Sequence, residues 1–333
     1  MSLLCLGSLW LQSLGGASTL LDRLFLQQVG LDTAVLRTIQ EAVQVRELLA
    51  HLHFLVSDEL GGREAGSPQE KIAARYLIAH HQRIGNVPLA GSYILPFPLV
   101  PPPSGAKAEV KKAAESWNVL ALRLGKESPS QVVLLTAHYD HLGVSRQGEP
   151  YNGADDNGSG TAVLLEVARV LSYLPPPRRT IAFLHTSGEE KGLLGALWFV
   201  AQRIIPPESL VAVLNVDMVG RTDTLHKPGD PYLYSIGAQR TSPLLRGIQE
   251  AVNAFCCQWT LDYRYDEPND RLRLFYRSDH YAFAKVGVPV SFFFGGFHAD
   301  YHMPTDDVER LEPERLQRVA VFLAALSWTL ANL

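Results

Sequence analysis

The sequence predicts an α/β fold in which a mixed, mainly parallel sheet lies between two layers of helices. Apolar runs of strand length alternate with segments of helical periodicity from about residue 131 onward. These runs are continuously apolar, which is typical of parallel strands that are buried on both faces. The chain has 333 residues, 47% of them hydrophobic, and this supplies enough apolar material for such a core.

Two helices are predicted before the alternating region. The first extends from Asp32, a candidate N-cap, to about Val56, because apolar residues recur there at helical spacing. The second begins with a capping box at Ser67 and ends before Gly85. Short strand-like pieces follow around the segment PFPLVPPPSG, which we interpret as an extended connection.

The later elements follow from the alternation of the two periods. We predict strands at 131–138, 179–187, 210–218, 258–264 and 288–294, and helices at 161–174, 193–203, 242–256, 279–286 and from about 312. No internal repeat and no dinucleotide-binding glycine motif is present. Ligands of such folds bind beyond the carboxyl ends of the parallel strands, so functional residues are expected there.

Composition limits the classes of partner. The formal net charge is −4 and the chain has no long run of Lys and Arg, which argues against nucleic acid. Three cysteines cannot form a disulfide framework. We expect the adjacent Cys256 and Cys257 to be small buried residues of a helix that do not pair with each other, and we exclude a cysteine metal site.

The N-terminal segment, residues 1–30, begins with an apolar stretch of signal-peptide length that ends in small residues. It lacks the positive n-region of secretory signals, and Ser, Gln and Gly interrupt it too often for a transmembrane helix. We interpret it as a possible atypical signal or anchor. No later segment reaches membrane-spanning length, and residues 31–333 are expected to form one domain.

Carboxylates and histidines collect where the predicted strands end. The positions are His138, Tyr139, Asp140 and His141, then Asp155 and Asp156, then Glu189 and Glu190, then Asp217, and finally His298, Asp300, Tyr301, His302, Asp306 and Asp307. Each alone has a plain structural explanation, such as a helix N-cap for the Asp pair. Together they would repel one another at one sheet edge unless a divalent cation balanced them. Nitrogen and oxygen donors without thiolate suit catalytic zinc, and their number fits two metals.

Six motifs, in this order, closely resemble the bacterial di-zinc aminopeptidase family. They are AHYDHLG, NGADDNGSG, SGEEKGLLG, NVDMVGR, RSDHYAFAKVGVP and DYHMPTDD, and the resemblance spans roughly residues 50 to 315. The superfamily also contains glutamate carboxypeptidase, glutaminyl cyclase and the transferrin receptor. The resemblance implies a three-layer α/β/α zinc-exopeptidase fold. About 45 residues separate Tyr93 from His138, which leaves no room for the protease-associated domain that larger relatives insert.

The resemblance also implies a role for each site residue. His138 and Asp217 would bind one zinc, Glu190 and His302 the other, and Asp156 would bridge both. Glu189 would be the general base, and the Asp140 carboxylate would orient the His138 imidazole. Tyr301 would stabilise the oxyanion, Arg277 would lie near the substrate, and Phe294 would line the pocket for the first side chain. The Asp156–Asn157 peptide is expected to be cis.

The resulting hypothesis is a zinc aminopeptidase with two Zn²⁺ ions that acts on peptides. A glutaminyl cyclase-like acyl transferase with one zinc and a carboxypeptidase of the same superfamily are the alternatives. A binding protein without activity, like the transferrin receptor, would have lost ligands, and none is lost here. Exported relatives favour a periplasmic or secreted protein, with a cytoplasmic location as the alternative. The sequence leaves the preferred N-terminal residue, the native metal and the oligomeric state open.

Overall fold

The computed structural model describes residues 20–100 and 114–333. Its helices are α1 (Leu20–Gln28), α2 (Thr33–Ala42), α3 (Val45–Leu55), α4 (Pro68–Arg83), α5 (Gly160–Ser172), α6 (Leu194–Ala201), α7 (Ala238–Thr241), α8 (Pro243–Cys256), α9 (His280–Ala284) and α10 (Pro313–Asn332). Its strands are β1 (Val87–Pro88), β2 (Ile94–Pro98), β3 (Glu115–Arg123), β4 (Ser128–His138), β5 (Arg179–Thr186), β6 (Leu210–Asp217), β7 (Tyr232–Ile236), β8 (Thr260–Asp262) and β9 (Val290–Phe294).

All nine of these strands form one mixed sheet. Its order is β1-β3-β5-β4-β6-β9-β7-β8, and β2 pairs with β3 outside this path. The four central strands, β5, β4, β6 and β9, are parallel to one another, whereas β3 joins β5 and β7 joins β9 in antiparallel pairs. The parallel centre therefore brings four carboxyl ends to the same edge of the sheet.

Helices cover both faces of this sheet. In β4, Val133 and Leu135 belong to the apolar cluster that includes residues of α5 and α10. Val132 and Leu134 point the other way and belong to a second cluster with residues of α6 and α9. Because successive side chains of a strand face opposite sides, continuous apolar strands need a helical layer on each side. The predicted α/β fold, with a mixed sheet between two helical layers, is confirmed.

One predicted helix was wrong in its extent. The segment predicted as a single helix from Asp32 to about Val56 forms α2 and α3, with extended backbone at Val43 and Gln44 between them. Asp32 does cap α2, since its side chain accepts a hydrogen bond from the Val35 backbone N–H. The break coincides with a tertiary contact that periodicity does not reveal, because the Gln44 backbone N–H donates to Glu166 Oε1 at 2.7 Å.

The expectation for the cysteines was also wrong. Helix α8 ends at Cys256, and Cys257 leaves helical geometry with φ −136° and ψ −25°. The two neighbouring sulfur atoms meet there in a disulfide bond. Both residues had been expected inside a helix, where consecutive side chains point in different directions. The end of the helix removes that constraint.

Several expectations about the N-terminal half are not tested by the structure. Residues 1–18, on which the prediction of export rests, lie outside the described residues, and so does the second half of PFPLVPPPSG. The limits of the single domain, residues 31–333, also stay a prediction. Within residues 20–100 and 114–333, no helix has both the length and the apolar character needed to cross a membrane.

Candidate active site

The predicted site residues lie at the edge where the parallel strands end. His138 is the last residue of β4 and Asp217 is the last residue of β6. Glu189 and Glu190 follow the end of β5 at Thr186, and His302 lies in the loop after β9. Because these strands are parallel neighbours, residues far apart in the sequence converge on one small region.

The first group of donor atoms surrounds the His138 imidazole. His138 Nε2 lies 3.3 Å from Asp156 Oδ1 and 3.3 Å from Asp217 Oδ1. The other oxygen of Asp217 accepts a hydrogen bond of 2.8 Å from Ser278 Oγ, which fixes the direction of the carboxylate. A histidine nitrogen and two carboxylate oxygens therefore face one another at a spacing that a single cation can span.

The second group lies on the other side of Asp156. His302 Nε2 lies 3.0 Å from Asp156 Oδ2 and 3.3 Å from Glu190 Oε2. The two oxygens of Asp156 thus face different histidines, one in each group. This is the arrangement of a carboxylate that bridges two cations.

The loop that carries Asp156 is held by a carboxylate from the C-terminal part of the chain. Asp306 accepts hydrogen bonds from the backbone N–H groups of Asp155 and Asp156 at 3.0 to 3.1 Å. Asp155 Oδ1 in turn accepts a hydrogen bond of 2.6 Å from the Gly220 backbone N–H. The Asp156–Asn157 peptide bond is cis, as predicted. These contacts define where the central carboxylate projects.

The donor atoms fit divalent cations. His138 Nε2 and Asp217 Oδ1 are buried and have no hydrogen-bond partner among residues 20–100 and 114–333. Two sets of three donors lie close enough to hold an ion each, and the sets share Asp156. One set is His138, Asp156 and Asp217, and the other is His141, Asp156 and Glu190. Buried polar atoms without partners are costly, and a cation bound in the first set would satisfy both of these atoms.

Glu189 lies beside these sets but belongs to neither. Its carboxylate lines the pocket in front of them, and its backbone N–H donates to Asp140 Oδ1 at 3.3 Å. Burial raises the pKa of Glu189 well above its usual value, and the nearby carboxylates of Glu190 and Asp217 raise it further, although His138 opposes them. A carboxylate that is close to a metal site without being a ligand is free to exchange a proton.

Asp140 contacts the His138 imidazole, but through its backbone carbonyl and not through the predicted carboxylate. Its carboxylate was expected to orient the His138 imidazole, but His138 Nδ1 makes its hydrogen bond, of 3.2 Å, with the Asp140 backbone carbonyl. The nearer carboxylate oxygen is 3.6 Å from the same nitrogen. The residue is the predicted one and it is completely buried. Its carbonyl oxygen and one carboxylate oxygen both lie within 3.6 Å of His138 Nδ1.

A pocket opens in front of the two donor groups. Tyr301 lines it, with its ring stacked on His302 at a centroid distance of 3.8 Å. Arg277 Nη2 lies 3.4 Å from the Tyr301 hydroxyl. Phe294, the last residue of β9, lies in the apolar half of the pocket. That half consists of Met218, Leu274, Phe292, Phe294 and Phe297.

The sequence indicated no role for Arg63, whose side chain links two backbone segments that carry site residues. Its buried guanidinium donates hydrogen bonds to the carbonyl oxygens of Tyr139, Leu55, Asn152 and Gly153. It thereby ties the end of β4 to the loop that leads to Asp156. The residue stands in the segment GGREAGS, within the N-terminal region that resembled the family, but nothing in that motif indicated a structural anchor.

His141 was recognised as a polar residue after β4 but was given no role. Its ring is 1% exposed, and its Nδ1 lies 2.7 Å from Glu190 Oε1. The only available signal was the motif HYDHLG, in which a second histidine follows the first by three residues. Ser278, which contacts Asp217, and Asp306, which contacts the Asp156 loop, were likewise left without a role.

Comparison with known proteins agrees with this architecture. An aminopeptidase from Aneurinibacillus superposes with a TM-score of 0.70 at 17% identity, covering 89% of this chain and 96% of that one. A glutaminyl cyclase from Fimbriiglobus ruber superposes with a TM-score of 0.67 at 16% identity, covering 86% and 95%. At this level of identity the two structures show the fold that the chain shares with them.

Comparison of sequences shows to which protein family the chain belongs. Aminopeptidase YwaD of Bacillus subtilis is 29% identical over 218 residues, which are 63% of this chain and 44% of that protein. The chain spans between 26% and 61% of the length of the curated relatives considered, among them fungal proteins described as probable zinc metalloproteases. The model of peptidase family M28 matches residues 118–327, which include all the predicted metal ligands. The resemblance seen in the sequence is thus confirmed, and the chain belongs to peptidase family M28.

Proposed function

We propose that this chain is a zinc-dependent aminopeptidase that uses two zinc ions to hydrolyse the N-terminal peptide bond of peptides. The observation that carries the proposal is that the donor atoms around His138 and those around His302 share Asp156 and lie beside Glu189 at an open pocket. Nitrogen and oxygen donors without thiolate are typical of catalytic zinc sites. The similarity to an aminopeptidase from Bacillus subtilis supports the substrate class.

Each metal would have ligands of its own and one in common. His138 and Asp217 would hold one ion, Glu190 and His302 the other, and Asp156 both. When bound, the ions would act as Lewis acids on the scissile carbonyl and lower the pKa of water to about 7. Three ligand carboxylates would balance most of the charge of two divalent cations, so the pocket would be close to neutral.

Glu189 would move the proton. It would take one proton from the attacking water as the C–O bond forms, and would give it to the nitrogen of the leaving amine as the peptide C–N bond then breaks. Its position suits this role, because Glu189 lines the pocket beside the donor groups and burial raises its pKa above the usual value.

Three further residues would contact the substrate. Burial raises the pKa of the Tyr301 hydroxyl, which keeps it protonated and able to donate a hydrogen bond to the developing oxyanion. Arg277 would interact with polar groups of the substrate beyond the scissile bond. Phe294 and its apolar neighbours would receive the first side chain, which favours apolar N-terminal residues.

Arg277 also supports a second candidate function. A guanidinium at the pocket is suited to a terminal carboxylate, and a carboxypeptidase of the same superfamily would use one. A cyclase with one zinc fits less well, since it would leave the donor set of Glu190 without a metal. The number of zinc ions bound by the purified chain separates the one-metal function from both peptidases.

The proposal is tested with leucine p-nitroanilide, its N-acetylated form, and a peptide whose N-terminus is blocked but whose C-terminus is free. We expect cleavage of the first substrate alone, loss of activity on chelation, and recovery when zinc is returned. Glu189→Gln should lower kcat by about 10²- to 10⁴-fold while the chain keeps its metals. Cleavage of the blocked peptide instead would identify a carboxypeptidase, and cleavage of none by the zinc-loaded chain would contradict peptidase activity.

A further inference from the structure

His141 has a fixed position next to a ligand of the second metal. Its backbone N–H donates to the Arg63 carbonyl at 3.3 Å, and its ring packs against Gly153. A Cβ at Gly153 would come within 2.5 Å of His141 Cδ2, so only glycine leaves room for the ring. The imidazole is therefore packed closely against the Gly153 backbone, with its Nδ1 beside Glu190.

The two carboxylate oxygens of Glu190 contact different histidines. Oε1 is 2.7 Å from His141 Nδ1, whereas Oε2 is 3.3 Å from His302 Nε2. An ionised carboxylate can only accept, so Nδ1 carries the hydrogen of this bond. One oxygen is thus engaged by His141, and the other is left to face His302 and Asp156.

We propose that His141 is a positioning residue for the second metal, because its Nδ1–H holds Glu190 Oε1 so that Oε2 faces the ion. The inference rests on the proposed two-metal function. Carboxylates and histidines that bind metals are commonly oriented by such partners, and loss of the partner typically weakens metal binding by about 10- to 100-fold.

The effect should be confined to one of the two metals. His141 makes its side-chain hydrogen bond with Glu190, whereas His138 is oriented from its other side by Asp140. Loss of the His141 donor should therefore weaken the metal held by Glu190 and His302. The metal held by His138 and Asp217 should remain, so the zinc content at a limiting free-zinc concentration should fall from two ions to one.

The experiment compares three substitutions of His141 that differ in where they place a hydrogen-bond donor. Asparagine puts its amide nitrogen close to the position of Nδ1, glutamine puts it close to Nε2, and leucine has no donor. Zinc bound per chain is measured over a series of buffered free-zinc concentrations, which needs no activity. His80→Leu is the matched control, because His80 is buried and contacts His51, His81 and Leu165.

We expect H141L and H141Q to bind the weaker zinc about 10- to 100-fold less tightly than the wild type, and H141N to stay within about threefold. Equal binding by H141L and the wild type would overturn the inference. If H141L does not fold, the same comparison between H141N and H141Q decides, and equal binding by these two overturns it. A wild-type chain that holds a single zinc would overturn the two-metal function as well.

Discussion

The Nε2 atoms of His81 and His185 lie 3.0 Å apart in the core, although the residues are 104 positions apart in the sequence. His51 and His80 complete a row of four buried rings with centroid distances of 4.7 to 5.9 Å. One nitrogen of the close pair must donate and the other must accept, so the accepting ring is neutral. The four rings belong to α3, α4 and β5.

Lowering the pH should reduce the free energy of unfolding, because the four histidines of this row bind protons less readily in the folded chain than in the unfolded chain. Burial lowers the pKa of His51 to about 3, of His80 to about 4 and of His185 to about 3, and it lowers the pKa of His81 well below its usual value. In the unfolded chain the same groups titrate near 6.5. Above pH 6.5 both states are neutral, so stability is fully present there. Below it the unfolded state alone binds protons, and the free energy of unfolding falls until the pH approaches 4 to 3.

His51→Asn tests this acid dependence, because asparagine can keep the hydrogen bond that His51 Nδ1 makes with Tyr76. Urea unfolding of the metal-free chain between pH 5 and 6 should show a slope smaller than that of the wild type by about 1.4 kcal/mol per pH unit, equivalent to one proton. His53→Asn is the control, since His53 is exposed on the same helix. An unchanged slope in His51→Asn would show that the row does not titrate as described.

The sequence predicted the secondary-structure elements that follow from local patterns, and the site residues that lie where the parallel strands end. His138, Asp217 and Glu190 could be placed together because each follows a continuous apolar strand, and the ordered motifs added the bridging role of Asp156. Three of the contacts that were missed join distant segments. His141 meets Glu190 across 49 positions, Arg63 meets Gly153 across 90, and Gln44 meets Glu166 across 122. Periodicity carries no information about such hydrogen bonds.

Arg63 should be among the residues on which stability depends most. Arg63→Met removes a donor from four carbonyl groups in a buried place, of which that of Gly153 keeps the Gly158 backbone N–H as a second donor. Acceptors left without a donor each cost on the order of 1 kcal/mol or more. We expect the free energy of unfolding to fall by about 3–5 kcal/mol, measured by urea denaturation of the metal-free chain. Arg271→Met, at an exposed position, should change it by less than about 0.5 kcal/mol. A loss below 1 kcal/mol in Arg63→Met would show that the loop does not need this anchor.

Asp156→Asn should remove both metals, whereas Asp217→Asn should remove one. Asp156 faces His138 with one oxygen and His302 with the other, while Asp217 faces His138 alone. An amide lacks the negative charge that a shared ligand brings to two cations. We expect at least about a 100-fold loss of affinity at both sites in Asp156→Asn, beyond what loss of an outer partner causes. Elemental analysis after equilibrium dialysis gives the counts, and two zinc ions in Asp156→Asn would rule out the bridging role.

Arg277 should favour substrates that end close to the scissile bond. Among residues 20–100 and 114–333 it forms no ion pair with a carboxylate, and its guanidinium lies against the Tyr301 hydroxyl and 5.2 Å from the Phe297 ring centroid. The free carboxylate of a dipeptide would lie one residue beyond the scissile carbonyl, within reach of this cation. We therefore expect Leu-Gly to be a better substrate than Leu-Gly amide, chiefly through a lower KM.

Arg277→Gln should reduce the ratio of kcat/KM for Leu-Gly to that for Leu-Gly amide by roughly tenfold, which corresponds to about 1.4 kcal/mol. Arg271→Gln should leave the ratio unchanged, because Arg271 is exposed outside the pocket lining. If Arg277 acts only through the Tyr301 hydroxyl on the oxyanion, kcat will fall equally for both substrates and the ratio will stay constant. The ratio therefore separates recognition of a terminal carboxylate from a contribution to the chemical step.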